Sequence, residues 1–203
     1  MLDRLLELAN SADYDFRKFA SPADPLKYLF EEWVPYYRLK WAIARALQPQ
    51  KILEIGVRFG YSAQAFLDAS PNAKYLGIDN DSNSFGGEKN AIRWAQRLSL
   101  EYHADFVIAD SQQMGRLPGG DYDLIHVDGQ QDGTGSFHDL KLSLRQARYV
   151  LVDGYFWTRD NFLGASEFLW RYRDWIDYYL VIPGYAGELL IRTKHEGTPE
   201  RAY

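Results

Sequence analysis

Helical patterns and short apolar segments alternate along most of this chain. Residues 2–9 place their apolar side chains at the i, i+3, i+4 and i+7 spacing of an amphipathic helix. Two Xaa-Pro steps within residues 21–25 mark a break. A second helical pattern then runs from Leu26 to Gln48. We expect it to break or kink before Pro35, because proline removes a backbone hydrogen-bond donor.

Seven short apolar segments beyond residue 50 predict strands, and four helical patterns lie among them. The predicted strands are Lys51–Gly56, Lys74–Asp79, Ala104–Asp110, Asp123–Asp128, Tyr149–Asp153, Asp177–Ile182 and Glu188–Thr193. The predicted helices are Ser62–Ala69, Glu88–Leu100, Ser136–Gln146 and Ser166–Ile176. Strands that alternate with helices are typical of a doubly wound α/β fold with a mostly parallel sheet. The turn at residues 183–187 is too short for a crossover helix, so the last two strands must form an antiparallel hairpin.

Length and composition narrow the class of protein. The 203 residues are enough for one full-sized core, so we treat residues 1–48 as a helical extension of the domain formed by residues 49–203. A net charge of −5 argues against nucleic acid as a partner. The lack of cysteine excludes disulfides, zinc–thiolate sites and a cysteine nucleophile. The lack of cysteine also fits a cytoplasmic protein, and since no run of about 18 apolar residues occurs, we expect no membrane partner.

The segment from Glu54 to Gly60, EIGVRFG, follows the first predicted strand and precedes a helix. Glycines at such a turn let the backbone approach a ligand at the carboxyl edge of the sheet. The segment does not match the G-x-G-x-x-G pattern of dinucleotide enzymes, because Arg58 replaces the second glycine. An acid before the first glycine suits a ligand with a cationic amino-acid end. The alternative is a plain strand-to-helix turn.

The next two predicted strands also end in carboxylates. Asp79 closes the second strand, where a carboxylate can accept hydrogen bonds from both ribose hydroxyls of an adenosine. This position would serve a nicotinamide cofactor equally well. Asp110 and Ser111 end the third strand and could meet an adenine edge; alternatively, Asp110 caps a short helical turn.

Two further aspartates, Asp128 and Asp153, close strands that we expect to be about 4.8 Å apart if they pair. Carboxylates so placed can share Mg²⁺, which prefers oxygen ligands and could lower the pKa of an acceptor hydroxyl. Each aspartate is also followed by glycine, so ordinary Asp-Gly turns are the alternative. We interpret His126 as a hydrogen-bonded structural histidine, whereas His138 either points towards the site or faces solvent.

Taken together, ILEIGVRFGYS, YLGIDND, DFVIADS and DLIHVDG followed by VLVDGYFW resemble class I S-adenosylmethionine (SAM)-dependent methyltransferases with a Rossmann-like fold. The later segments resemble the group that includes macrolide and sugar O-methyltransferases and cephalosporin-biosynthesis methyltransferases. The resemblance implies a cofactor site with the methionine end at Glu54, Gly56, Gly60, Tyr61 and Ser62, the ribose at Asp79, and the adenine at Asp110 and Ser111. It also implies magnesium ligands at Asp128 and Asp153.

The chain departs from this group at two places. Relatives often carry an acid-His pair after the first metal aspartate, where this chain has Gln130-Gln131. They also often carry Asp or Asn after the second, where this chain has Gly154. The first departure removes a familiar base, and the second removes a metal ligand. Both therefore affect the metal mechanism and leave the cofactor site unchanged.

The resemblance implies methyl transfer from SAM to a hydroxyl of a small molecule, such as a sugar or polyketide. Asp128 would position the acceptor, directly or through Mg²⁺; without a metal, His138 or Asp128 would be the base. Aromatic residues suit an acceptor pocket, although packing or a homodimer interface is an alternative: Trp33, Tyr36, Tyr37, Trp41, Tyr155, Phe156, Trp157 and Phe162. Two other functions stay open: a SAM-binding scaffold without catalysis and a nicotinamide-dependent oxidoreductase.

Overall fold

A seven-stranded sheet forms the centre of the protein. The computed structural model describes residues 1–84 and 86–195. The strands are β1 (Lys51–Ile55), β2 (Lys74–Asp79), β3 (Ala104–Ile108), β4 (Tyr122–Val127), β5 (Ala147–Val152), β6 (Ile176–Ile182) and β7 (Glu188–Thr193). Their order across the sheet is β3-β2-β1-β4-β5-β7-β6. The order reverses between β1 and β4, and at such a point the carboxyl ends of the strands leave a crevice.

The sheet is parallel from β3 to β5 and ends in an antiparallel hairpin. Four adjacent pairs are parallel, whereas β7 runs antiparallel to both β5 and β6. The predicted fold class, including the terminal hairpin, is therefore confirmed. Because β1 to β5 all point the same way, their carboxyl ends lie along one edge of the sheet.

Six α-helices flank this sheet in the described part of the chain. They are α1 (Leu2–Ser11), α2 (Phe30–Leu47), α3 (Tyr61–Ala69), α4 (Ile92–Ala95), α5 (Thr134–Leu144) and α6 (Arg159–Arg171). One apolar cluster joins α1, α2 and α3 to one face of the sheet through residues such as Leu5, Ile43 and Phe66. A second cluster packs α5 and α6 on the other face. The N-terminal helices thus share a core with the strands.

Of the two alternatives expected at Pro35, a break or a kink, the break is wrong. Helix α2 begins at Phe30, after a 3₁₀ turn at Lys27–Leu29, and continues through the proline to Leu47. Pro35 lies in the second turn, where its fixed φ is compatible with a helix and one backbone hydrogen bond is lost.

Two other predicted helices have different bounds. The predicted helix at Glu88–Leu100 is reduced to α4 and a following 3₁₀ helix, Gln96–Leu100, since Asn90 adopts a left-handed φ of 68°. Helix α6 begins seven residues before the predicted Ser166, because the Thr158 side chain caps it by accepting a hydrogen bond from the Asn161 backbone N–H. No helix in residues 1–84 and 86–195 has the length and apolar character needed to cross a bilayer.

Candidate active site at the carboxyl edge of the sheet

A cleft lies at the carboxyl ends of β1 to β4. Its lining includes Gly56, Arg58, Asp79, Asp110, Ser111, Asp128 and Gly129. These residues follow four different strands, and the parallel register brings them to one edge. The structure thus brings together most of the strand-end groups that the sequence singles out.

Gly56 allows β1 and β4 to end in close contact. It has a φ of +88°, and a Cβ at this position would lie 2.0 Å from the Asp128 carbonyl oxygen. Gly60 has a φ of +78°, and its Cβ would lie 2.7 Å from that of Ala95. Both positions require glycine for backbone conformation and for space.

Glu54 lies beneath the glycine turn. Its side chain is fully buried; it accepts hydrogen bonds from the hydroxyls of Ser62 and Tyr75, and His126 Nδ1 lies 2.9 Å from its Oε1. Of the five residues expected at the methionine end, Gly56 lines the cleft, whereas Glu54, Gly60, Tyr61 and Ser62 are buried. Direct contact of these four with a ligand remains a prediction.

Asp79 organises the turn after β1. Its Oδ2 accepts hydrogen bonds from the backbone N–H groups of Val57 and Arg58 at 2.7 and 2.8 Å. Its Oδ1 accepts one from the Asp81 N–H at 2.6 Å. The half-buried carboxylate also lines the cleft, so it both fixes the loop and faces the space where a ligand would lie.

Asp110 and Ser111 stand at the end of β3. The Asp110 side chain accepts a hydrogen bond from the Gln112 N–H at 3.0 Å, so the helix-capping interpretation is confirmed, and both residues also line the cleft. His138 Nε2 lies 3.2 Å from the Ser111 carbonyl oxygen. Since a carbonyl only accepts, His138 donates this hydrogen bond.

A clamp from the N-terminal segment holds the glycine turn. The Arg58 guanidinium pairs with both carboxylate oxygens of buried Asp24, at 2.9 and 2.8 Å. The Tyr61 hydroxyl donates to Asp24 at 3.0 Å and accepts a hydrogen bond from the Ser21 N–H. The helical extension therefore fixes one wall of the cleft.

Gln131 joins the two aspartates that follow β4 and β5. Its Nε2 donates to Asp128 Oδ1 at 3.0 Å and to Asp153 Oδ2 at 3.1 Å. The predicted proximity of Asp128 and Asp153 is thus observed, with an amide between them. A Cβ at Gly154 would lie 2.6 Å from Gln131 Oε1, so the Gln131 side chain fills the space beside that glycine.

A buried lysine lies on the other side of Asp153. Lys40, from α2, is completely buried, and its Nζ contacts Asp153 Oδ1 at 2.7 Å and Glu188 Oε1 at 2.5 Å. The Tyr36 hydroxyl donates to the same oxygen of Asp153, and the Lys40 Nζ lies 4.2 Å from the Tyr36 ring centroid. Three elements distant in sequence, α2, β5 and β7, therefore meet at one ion-pair network.

The charged groups in this network shift one another's pKa values. Burial alone would lower the pKa of Lys40, but Asp153 and Glu188 outweigh it and raise that pKa. Burial would raise the pKa of Asp153, but the Lys40 ammonium holds it well below its usual range. Burial and the Asp153 charge raise the pKa of Asp128, and burial raises that of Glu188.

His126 is neutral and has one defined tautomer. Burial, and then the nearby Lys40, lower its pKa. Its Nε2 lies 3.3 Å from the Lys40 Nζ, which has no lone pair to offer, so Nε2 accepts and Nδ1 donates to Glu54. The interpretation of His126 as a hydrogen-bonded structural residue is confirmed.

Asp139, on α5, is a buried carboxyl near the floor of the cleft. Its Oδ1 accepts a hydrogen bond from Gln112 Nε2 at 3.0 Å, whereas Oδ2 has no hydrogen-bond partner among the described residues. A Cβ at Gly129 would lie 3.0 Å from that oxygen. Burial raises the pKa of Asp139 to about 6.

Aromatic side chains stand beside Asp153. Trp157 is 58% exposed and stacks on the 43% exposed Tyr185, which contacts Tyr36. Phe156 and Phe162 are also exposed and stack on each other. By contrast, Trp33 and Tyr155 are buried, as the packing alternative expects.

Four buried charged residues of the site were not among the sequence-based candidates: Asp24, Lys40, Asp139 and Glu188. For Lys40 a signal existed, because it lies among apolar residues of α2, next to Leu39 and one residue before Trp41. A lysine on the apolar side of a helix is almost never fully buried without a partner. For Glu188, the first residue of β7, no such signal was present.

Comparison with known proteins agrees with this arrangement. Residues 53–153 match the family model of a methyltransferase domain. A search of curated protein sequences found no match to the chain.

Solved structures of methyltransferases share the fold. A Podospora anserina methyltransferase bound to S-adenosylhomocysteine (SAH) is 20% identical, with a TM-score of 0.58, and the match covers 96% of this chain and 88% of that one. An O-methyltransferase of tomaymycin synthesis from Streptomyces achromogenes, in complex with SAM, is 20% identical with a TM-score of 0.58 and coverages of 95% and 91%. An O-methyltransferase from Bacillus cereus in complex with SAH is 16% identical with a TM-score of 0.58 and coverages of 95% and 90%.

Proposed function

Since the chain belongs to the class I SAM-dependent methyltransferases, we propose that it transfers the methyl group of SAM to a hydroxyl of a small-molecule acceptor. The observation that carries this proposal is the cleft, in which Asp110, Asp79, Gly56 and Asp128 follow one another along one sheet edge. The family match gives no support to a nicotinamide-dependent oxidoreductase.

The cofactor would lie along the ends of β1, β2 and β3. Asp79 would accept hydrogen bonds from the ribose, and Asp110 with Ser111 would flank the adenine, since all three line the cleft. The methionine end would then point past Gly56 towards Asp128. Solved structures of this fold with bound SAM or SAH support this cofactor.

The transfer is an in-line displacement. The acceptor oxygen attacks the methyl carbon of SAM, the carbon–sulfur bond breaks, and SAH leaves as a neutral thioether. The hydroxyl proton passes to the Asp128 carboxylate, because burial and the neighbouring Asp153 charge raise the pKa of Asp128 and so increase its affinity for a proton. Alignment of the two reactants supplies most of the acceleration, on the order of 7–11 kcal/mol.

We assign the base to Asp128 in preference to His138. Asp128 lines the cleft, whereas His138 is not among the described residues that do so, and it donates to the Ser111 carbonyl. Gln131 and Lys40 already occupy oxygens of Asp128 and Asp153, so the transfer that we propose uses no metal.

The acceptor would bind on the side of Asp153. The exposed stack of Trp157 and Tyr185 offers flat apolar faces next to the Tyr36 ring and suits a molecule with an aromatic, polyketide or sugar ring. A cytoplasmic location and a homodimer remain predictions from the sequence.

The test is transfer of labelled methyl from SAM to a panel of hydroxylated ring compounds. With an accepted compound, Asp128→Asn should lower kcat about 100-fold or more and leave the SAH affinity within about twofold. Asp105→Asn, on the exposed surface of β3, is the matched control and should keep full activity. Binding of SAH without transfer to any compound would instead favour a SAM-binding scaffold, the alternative that the Gln131 and Gly154 departures support.

A further inference from the structure

The Lys40 ammonium lies where the atoms of a potential metal site converge. Nitrogen or oxygen atoms of His126, Asp153 and Glu188 lie within 4.8 Å of one another, close enough to ligate one ion. The Lys40 Nζ contacts all three, at 3.3, 2.7 and 2.5 Å. The centre of this buried group of ligands is therefore filled by a cation that belongs to the chain.

The second position for a metal, between Asp128 and Asp153, is filled by an amide. Gln131 Nε2 carries two N–H bonds and no lone pair for a metal, and it donates to one oxygen of each aspartate. A divalent cation that bridged these oxygens would have to displace that amide.

Gly154 and Gln131 are complementary in shape. A side chain after Asp153 would collide with the Gln131 amide, since even a Cβ would lie 2.6 Å from Oε1. The two departures from the related methyltransferases are thus coupled. The chain lacks a metal ligand at position 154, and the Gln131 amide, a hydrogen-bond donor, fills the space that a side chain there would need.

Both oxygens of Asp153 already accept hydrogen bonds from side chains of this protein. Its Oδ1 receives the Lys40 ammonium and the Tyr36 hydroxyl, and its Oδ2 receives the Gln131 amide. Magnesium needs carboxylate or water oxygens close to octahedral geometry and dehydrates reluctantly. A second cation would also be repelled by the nearby ammonium.

We propose that the Lys40 ammonium and the Gln131 amide replace a divalent cation at the ends of β4 and β5, so that this methyltransferase needs no metal. Lys40 is a positioning residue, because it holds Asp153 and Glu188 and does not line the cleft. A metal titration requires neither an acceptor nor turnover. Its result can therefore contradict this inference while the proposed function stands, and the proposed function can fail while this inference stands.

The experiment is calorimetric titration of MgCl₂ and MnCl₂ into the full chain after EDTA treatment, with and without SAH. We expect no saturable binding up to about 1 mM metal, and an SAH affinity that EDTA changes less than twofold. Saturable binding of one Mg²⁺ per chain that Asp128→Asn abolishes would overturn the proposal.

A gain-of-binding variant tests the role of Gln131. Gln131→Glu replaces the donor with a third carboxylate beside Asp128 and Asp153, and we expect it to bind Mn²⁺ at least 10-fold more tightly than the parent chain. Gln130→Glu adds the same charge one residue earlier and should bind no better than the parent. Equal gains in both variants, or no gain in Gln131→Glu, would contradict the assignment of Gln131 as the group that replaces the metal.

Discussion

The two halves of the sheet edge are built by different means. At the ends of β1, β2 and β3, the strand-end aspartates accept hydrogen bonds from backbone N–H groups, as Asp79 does from Val57 and Arg58. At the ends of β4 and β5, Asp153 is held instead by side chains from distant segments, above all Lys40, which is 113 residues away in sequence. We call the first half the cofactor side and the second the acceptor side.

This difference separates cofactor binding, which methyltransferases share, from acceptor binding, which is particular to each of them. Backbone N–H donors are present at a strand-to-helix turn regardless of the side chains around it. Strand ends and glycines are therefore enough to build the cofactor side. The acceptor side depends on buried charges that must be paired, because an unpaired buried charge is costly. A change of one partner there changes the whole network.

The largest expected effect comes from removing the buried cation. Lys40→Met leaves Asp153 and Glu188 buried without their counter-charge, so the free energy of unfolding should fall by about 3–5 kcal/mol. Denaturant unfolding followed by circular dichroism measures it. The matched control is Lys141→Met, at an exposed position on α5, which should stay within about 0.5 kcal/mol of the parent. A loss below about 1 kcal/mol for Lys40→Met would show that the network does not hold the acceptor side together.

A second prediction concerns the backbone contact between the two sides. Gly56→Ala places a Cβ 2.0 Å from the Asp128 carbonyl oxygen at a φ of +88°, so the ends of β1 and β4 must separate. We expect a loss of about 3 kcal/mol in stability, from strain plus displacement, and SAH binding weakened at least 10-fold.

Gly120→Ala provides the control for Gly56→Ala. Gly120 has a similar φ of +80°, but nothing lies within 4 Å of a Cβ there. It should lose only the roughly 1–2 kcal/mol of a left-handed backbone and bind SAH normally. If the two variants behave alike, the contact between Gly56 and Asp128 is not what shapes the cleft.

Much of this architecture was predictable from the sequence. The seven strands, the terminal hairpin and the strand-end residues of the cofactor side are local features, carried by apolar segments and by glycines such as Gly56. The expected break at Pro35 was wrong because tertiary packing of α2 outweighs one lost hydrogen bond. Lys40 and Glu188 could not be paired from the sequence, since only the fold brings α2 and β7 together.

A third, smaller prediction concerns the buried carboxyl of Asp139. In the unfolded chain it titrates near the ordinary value of 3.8, whereas burial raises its pKa in the fold to about 6. Folding therefore takes up a proton between these values, and the contribution of Asp139 to stability is lost as the pH rises through this window. The cost at pH 7 is on the order of 2–3 kcal/mol.

The measurement is the free energy of unfolding of the parent chain and of Asp139→Asn between pH 4 and pH 7. The asparagine keeps the acceptor for Gln112 and does not titrate, so the difference between the two proteins should grow in favour of the variant as the pH rises. A difference that stays constant with pH would show that Asp139 does not titrate in this range.

The most direct test of the central claim is calorimetric titration of the purified chain with SAH. The cofactor side predicts micromolar binding that Asp79→Ala abolishes and that Asp105→Ala, a surface change on β3, leaves unchanged. No binding to the parent chain, or equal binding to all three proteins, would contradict the assignment of this cleft as the cofactor site.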